Sequence, residues 1–212
     1  DLEDLLVGVD KLDGGGVTRD EYLSDDPAVW LGRVIDVSEG TAMAVLEGLQ
    51  KGNRIDEILE MPLISRKLLE RKSEREKLTE IIAERTVIVD RIAIARLDGL
   101  GMRSNGYHVT AFAGEACDAC IVIHGDIGAS FGDETGYPVS ASFYTNSFLH
   151  REGGIYDLTG LATHFDPDGG GHANACGCRI KSLENGRVSD GKVTEEDVQE
   201  NISEWLRLWS ER

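Results

Sequence analysis

The chain has 212 residues, 41% of them apolar, and its 39 acidic against 22 basic side chains give a net charge of −17. That length supports one large domain or two small ones, and the apolar share excludes a disordered acidic chain; no apolar run is long enough for a membrane-spanning helix and no signal peptide is apparent, so a cytoplasmic protein without a membrane partner is expected. The acidity excludes broad nucleic-acid contact, leaving only a local basic pocket for an oligonucleotide, and it reads as adaptation to a salt-rich cytoplasm such as that of a halophilic archaeon.

The chain opens on Asp1 instead of Met, which suggests a piece of a longer protein. Residues Asp1 to Val9 read as the end of a helix with Leu2, Leu5, Leu6 and Val9 on one face. Asp10-Lys11-Leu12-Asp13-Gly14-Gly15-Gly16 breaks it as a turn, since Asp accepts backbone hydrogen bonds and glycine supplies positive φ. Two helices are predicted over Pro27 to Val37 and Gly40 to Lys51, the second ended by Gly52-Asn53, and a short one over Ile55 to Met61. Pro62 then opens a long helix to Arg85 whose charged middle, Arg71 to Lys77, suits a bridge between domains better than a core element.

Beyond Arg85 the pattern changes to short β-branched runs. Strands are predicted at Thr86 to Val89, Ile92 to Leu97, Ala119 to His124, Pro138 to Tyr144, Phe148 to Arg151 and Gly177 to Lys181, with helices at Asn105 to Ala116, near Asp157 to Phe165 and from Thr194 to about Ser210. The expected fold class is therefore α/β: a helical N-terminal segment, a long linker helix, then a small α/β domain with a mixed sheet. The expected division is 1–61, 62–85 and 86–212.

The most informative run is Gly169-Gly170-Gly171-His172-Ala173-Asn174-Ala175-Cys176-Gly177. Three glycines are costly to order but let backbone N–H groups approach a ligand closely, and a helix starting after them would add its dipole. With an imidazole alongside, the run reads as a phosphate site; the competing reading is a glycine turn before a helix with His172 on its surface. His150 and Arg151 could join it, since a guanidinium fork matches phosphate oxygens. His124 and His164 read as structural.

Gly-Gly-Gly-His-x-x-Ala-x-Gly, preceded by Ser147-Phe148-Leu149-His150-Arg151 and a short helix, resembles the DHH-associated substrate-binding domain of the DHH phosphoesterase superfamily, in its archaeal exopolyphosphatase-related branch. Asp168 stands where that family often has a fourth glycine. The resemblance implies a substrate site at Gly169, Gly170, Gly171, His172, Arg151 and His150, and a metal ligand at Asp13, with Asp10 as the alternative. It makes 1–61 the remnant of a catalytic domain, 62–85 a linker and 86–212 the substrate-binding domain. It also implies manganese or magnesium in the full-length protein, none in this fragment, and an upstream catalytic domain as partner, and it leaves a homodimer open. No Asp-His-His occurs in the chain, so no complete catalytic set is expected within it and the fragment alone should be inactive.

The expected substrate is a short oligonucleotide, a cyclic dinucleotide or polyphosphate. A stand-alone nucleic-acid or phosphate-binding module without catalysis is the alternative. Cys117, Cys120, Cys176 and Cys178 allow a third reading, a tetrathiolate zinc site, against small buried residues at strand ends. The latter is preferred because Cys176 and Cys178 should alternate across their strand.

Overall fold

The computed structural model describes residues 6, 7, 10, 11, 16–130, 132, 133 and 136–212. Asp13, Leu2, Leu5 and Val9 lie outside the described residues, so the expectations placed on them have no structural counterpart here; Asp10 and Leu6 are described and exposed. The chain divides into two compact units, Asp1–Glu80 and Ile81–Arg212.

The first unit is helical. Helices α1 (Arg19–Leu23), α2 (Pro27–Val34), α3 (Thr41–Gln50) and α4 (Ile55–Leu59) precede α5 (Pro62–Arg85), which runs into the second unit. Local chemistry sets the starts: Thr18 and Glu21 form a reciprocal capping box, and the Asp26 carboxylate accepts from the Ala28 and Val29 amides while Pro27 takes the first helical position. Leu31, Val34, Val45, Ile58 and Ile64 form its apolar core.

One expectation is corrected here. α2 stops at Val34, leaving Ile35 and Val37 exposed, because Asp36 turns the chain by accepting from the Ser38 and Glu39 amides. The charged middle of α5 has partners within its own unit. Lys72 pairs with Asp25, Arg75 donates to the Leu23 carbonyl, and both cations lie about 5 Å from the Trp30 ring, at 5.2 Å each.

The second unit is an α/β layer structure. Strands β1 (Thr86–Val89), β2 (Ile92–Arg96), β3 (Ala119–His124), β4 (Ser140–Thr145), β5 (Gly170–His172) and β6 (Ala175–Arg179) form one sheet in the order β1-β2-β3-β4-β6-β5. Only β2 and β3 run parallel, and the crossover they require is supplied by helix α6 (Gly106–Ala113). Strands β7 (Ser182–Glu184) and β8 (Arg187–Ser189) form a separate hairpin on an Asn185-Gly186 turn.

Period-two alternation assigns the two faces of the sheet. Ile92, Ile94, Ala119, Ile121, Ile123, Ala141, Phe143 and Cys176 face the core, where α7 (Thr159–Ala162) and α8 (Glu195–Ser210) cover them. α8 contributes Val198, Ile202, Trp205 and Trp209 at helical spacing, and Trp205 meets Phe143 edge to face at 5.0 Å. Its start carries a capping box between Thr194 and Asp197, and the buried Asp197 also accepts from the Leu183 amide, tying the hairpin to the helix. The opposite face carries Ala93, Ala95, Cys120, Val122, Ser142 and Tyr144, with α6 laid over part of it.

The sheet corrects three further expectations. Residues 147–149 and 151–153 are turns, not a strand. The strand expected at Gly177 to Lys181 begins two residues earlier and ends at Arg179. And no helix follows the glycine run: Gly170–His172 and Ala175–Arg179 are the arms of a β-hairpin turning at Ala173 and Asn174.

Candidate functional site

The glycine run therefore offers an edge strand instead of a helix N-terminus, and the dipole contribution expected of it is withdrawn. Gly170 and Gly171 have φ of 153° and 141°, a region L-residues rarely adopt. At Gly171 a Cβ would also lie 2.6 Å from the Ala175 carbonyl oxygen, whereas at Gly170 nothing lies within 4 Å. Gly169 is confined differently, its absent Cβ falling 2.5 Å from the Ala162 oxygen. Two of the three glycines are thus demanded by the fold, and Gly170 alone borders open space.

His172 is exposed at the end of β5. Its register partner is Ala175, whose own partner across β6 and β4 is Tyr144, so one row on one face runs Tyr144, Ala175, His172. The neighbouring row on that face is Ser142, Gly177, Gly170. The floor beside His172 is thus nearly free of side chains.

The turn carrying His150 and Arg151 lies at the same end of the sheet. It leaves β4 directly after Thr145, whose amide donates to the Asn174 carbonyl of the β5–β6 turn at 2.9 Å, and Leu158 donates to Ala173 at 2.8 Å as the chain returns. Asn146 builds the turn. Fully buried, it donates from its side chain to the carbonyls of Gly114 and Cys117 at 2.9 and 2.8 Å and accepts from the Phe148 amide at 3.2 Å, while its own carbonyl accepts from Leu149 and His150. Arg151 emerges exposed from this frame.

His150 is engaged by a carboxylate. Its Nε2 lies 3.0 Å from Asp118 Oδ1, and the same carboxylate takes a bidentate fork from Arg91, both contacts 2.7 Å. Asp118 precedes β3 and Arg91 sits at φ 63° in the tight turn between β1 and β2, where its carbonyl accepts from the Asp118 amide. The structure therefore brings His150 to an acid–base cluster at the strand ends and leaves His172 and Arg151 exposed. Neither Asp118 nor Asn146 stands out in the sequence, because each acquires its partners only when β3, β4 and the following turn come together.

Arg91 holds the Asp118 carboxyl down from 3.8 to about 2, burial opposing this and His150 assisting. A depressed carboxylate contributes stability in full above its unfolded value and loses it as pH falls through the folded one. With Arg91 half-exposed, we expect the contribution to be on the order of 1–2 kcal/mol at neutral pH. Acid unfolding of the parent and of Asp118→Asn checks this: the gap between them should close from about pH 5 toward pH 2. A gap independent of pH over that interval would remove the ion pair from the account.

The cysteines do not converge. Residues two apart on a strand share a face, so Cys176 and Cys178 both point to the core, correcting the expected alternation. Cys120 lies on the opposite face, under the first turn of α6, with its Sγ 3.7 Å from the Gly106 carbonyl. Burial pushes the thiols up, to about 11 for Cys117 and about 12 for Cys176 and Cys178. Among the described residues no three His, Cys, Asp or Glu side chains are placed to hold a metal ion. No described helix is long and apolar enough to cross a membrane.

Comparison with known proteins adds the fold's identity. No family model and no curated protein matches the sequence. A solved pGpG-specific phosphodiesterase, PggH from Vibrio cholerae, superposes with a TM-score of 0.71 at 19% identity over 97% of this chain and 65% of its own, so this chain spans just under two-thirds of that structure's length and shares its fold. Weaker likenesses are to an exopolyphosphatase-related protein from Bacteroides fragilis, with a TM-score of 0.46 at 19% identity over 78% of this chain and 42% of the other, and to the DHH domain of a member of the s1p family of ribosomal proteins, with a TM-score of 0.45 at 18% identity over 85% and 42%.

Proposed function

We propose that this chain is the substrate-binding part of a DHH-type, metal-dependent phosphoesterase acting on short phosphate-linked substrates: an oligonucleotide, a cyclic dinucleotide or polyphosphate. In this reading 86–212 is the DHH-associated domain, 62–85 the linker and 1–61 the end of a catalytic domain in which Asp13, or else Asp10, ligates manganese or magnesium. The observation that carries it is the exposed Gly170–His172 edge at the same end of the sheet as the Arg151 turn, in a fold shared with a pGpG-specific phosphodiesterase.

The residues divide the work. Gly170 keeps the floor open for close approach of a ligand, His172 donates from its ring to a nonbridging phosphate oxygen, and Arg151 brings a delocalised cation to a surface that is otherwise acidic. His150, engaged by Asp118, holds the turn and does not itself reach the ligand in this scheme. A metal held in the whole protein by Asp13, or else Asp10, with further ligands would supply Lewis-acid and water-activating chemistry, and no step of it is assigned to the residues described here.

Titration of the chain with a short oligonucleotide and with polyphosphate, at low and high salt, tests the reading. Arg151→Ala should lose more affinity than His172→Ala, because a charged hydrogen bond contributes about 1.5–3 kcal/mol and a neutral one about 1. If both variants bind as the parent does, the glycine edge is a structural hairpin only.

A further inference from the structure

Gly170 is the outer end of a bare strip that continues inward across the sheet. Its register partner is Gly177 and the next residue of that row, on β4, is Ser142, so two strands pass before a side chain appears. Ser142 is partly exposed, and a Cβ on Gly177 would lie 3.7 Å from its Oγ, which sets the hydroxyl on the border of the glycine floor. His172 stands on the opposite border, in the adjacent row of the same face.

The Ser142 hydroxyl is backed from the inner side. His124, its diagonal neighbour at the end of β3, places Nε2 3.5 Å from Ser142 Oγ. The other ring nitrogen, Nδ1, is buried with no partner among the described residues. Burial, and the charge of Arg103, hold the imidazole below its usual pKa, so at pH 7 the ring is neutral and carries one N–H. An orphaned buried N–H is costlier than a bare nitrogen, which assigns that hydrogen to Nε2 and makes Ser142 Oγ its acceptor. The Tyr144 phenol also hydrogen-bonds Ser142. Between them the two hydroxyls hold two hydrogens and use one on each other, so one is left to donate outward.

We infer that the ligand site extends across the glycine floor to Ser142, which contacts a second phosphate group of the ligand, and that His124 is the residue that positions Ser142. The inference rests on the phosphate site proposed above and adds a length requirement to it. β4 and β5 are two strand spacings, about 10 Å, apart. With a hydrogen bond of about 3 Å at either end, the oxygens that meet His172 and Ser142 must be about 4 Å or more apart, which a single phosphate group does not supply. Orthophosphate therefore occupies the Arg151 and His172 end alone. Linked phosphates reach both borders.

The test is equilibrium binding of orthophosphate and of inorganic tripolyphosphate to the chain and to its Ser142→Ala, Ser142→Thr, His124→Ala and Arg151→Ala variants, followed by phosphorus NMR. Ser142→Ala should weaken tripolyphosphate roughly 5- to 10-fold and leave orthophosphate as in the parent, while Ser142→Thr, which keeps the hydroxyl, should retain both. pGpG, run in parallel, tells an ester-linked second phosphate from an inorganic one, and a loss with either counts for the contact. His124→Ala should weaken the same ligand, but the double variant should bind no more weakly than Ser142→Ala alone, since His124 acts through Ser142; losses that add would make His124 merely structural. Unchanged orthophosphate binding shows that the variants are folded, and should Ser142→Ala unfold, Ser142→Cys, which keeps the size and removes the hydroxyl, decides. Folded Ser142 variants that bind tripolyphosphate and pGpG like the parent, or lose orthophosphate equally, overturn the extension even where Arg151→Ala weakens every ligand. If Arg151→Ala weakens none of them, the phosphate site itself fails and the extension with it.

Discussion

Gly171→Ala is expected to unfold the β5–β6 hairpin and lower the stability of the second unit by about 3 kcal/mol or more. Two costs add at this position. The residue holds φ at 141°, and a methyl group would meet the Ala175 oxygen at 2.6 Å and the Cys176 Cα at 2.8 Å. Those atoms belong to the backbone of the paired strand and cannot swing aside as a side chain would. Cys176 belongs to the core cluster, so displacing β6 also disturbs its contact with the Phe143 layer. Gly160→Ala in α7 is the control: nothing lies within 4 Å of its added methyl and its conformation is helical, so stability should hold or rise by up to about 1 kcal/mol. Thermal or urea unfolding followed by circular dichroism measures both. A Gly171→Ala variant as stable as the parent would mean that the hairpin is not formed as described.

Gly171 is therefore a poor position for testing function, because its loss removes the strand and the site together. Gly170→Ala is the sharper probe. Its φ of 153° still disfavours alanine, but no atom lies within 4 Å, so the methyl projects into the space where the ligand is proposed to sit.

The elements that could be read from the sequence are those whose signal is local. The Thr194 box with Asp197, Pro27 and Pro62 at helix starts, and the β-branched runs from Thr86 to Val89 and Ala119 to His124 each specify their structure through neighbours within a few residues. The β7–β8 hairpin was equally local, since Asn185-Gly186 with φ of 54° and 72° is a strong two-residue turn signal, but its flanking strands are only three residues each and carry little pattern. The conformation of the glycine run is not legible locally for a different reason. Gly-Gly-Gly-His followed by small residues satisfies both a helix start and a strand edge, and only pairing with β6, itself fixed by β4, decides between them. The site shows the same division. Gly170, His172 and Arg151 could be named from residue type and motif, whereas the ties of His150 to Asp118 and of His124 to Ser142 join residues 32 and 18 positions apart and exist only in the folded unit.

Asn146 is where that long-range order is concentrated, and its replacement should have the other large effect. Asn146→Ala leaves two buried carbonyls, those of Gly114 and Cys117, without their donor and frees the Phe148 amide; at about 1–2 kcal/mol for each lost bond the cost comes to about 3–6 kcal/mol. Asn146→Asp should be worse than alanine despite its near-identical shape. It sets a carboxylate oxygen where the amide nitrogen stood, facing two carbonyl oxygens in a fully buried place, so the side chain must take up a proton or break the turn. The aspartate variant should accordingly regain stability as the pH is lowered from 7 toward 5, opposite in sign to the acid sensitivity that Arg91 and Asp118 give the parent. Since the turn also presents Arg151, both substitutions should weaken phosphate binding even under conditions where the variants remain folded. Unfolding curves at several pH values, with tripolyphosphate binding measured on the folded fraction, check the two effects separately. An aspartate variant more stable than the alanine variant at neutral pH would show that the Asn146 side chain does not face those carbonyls.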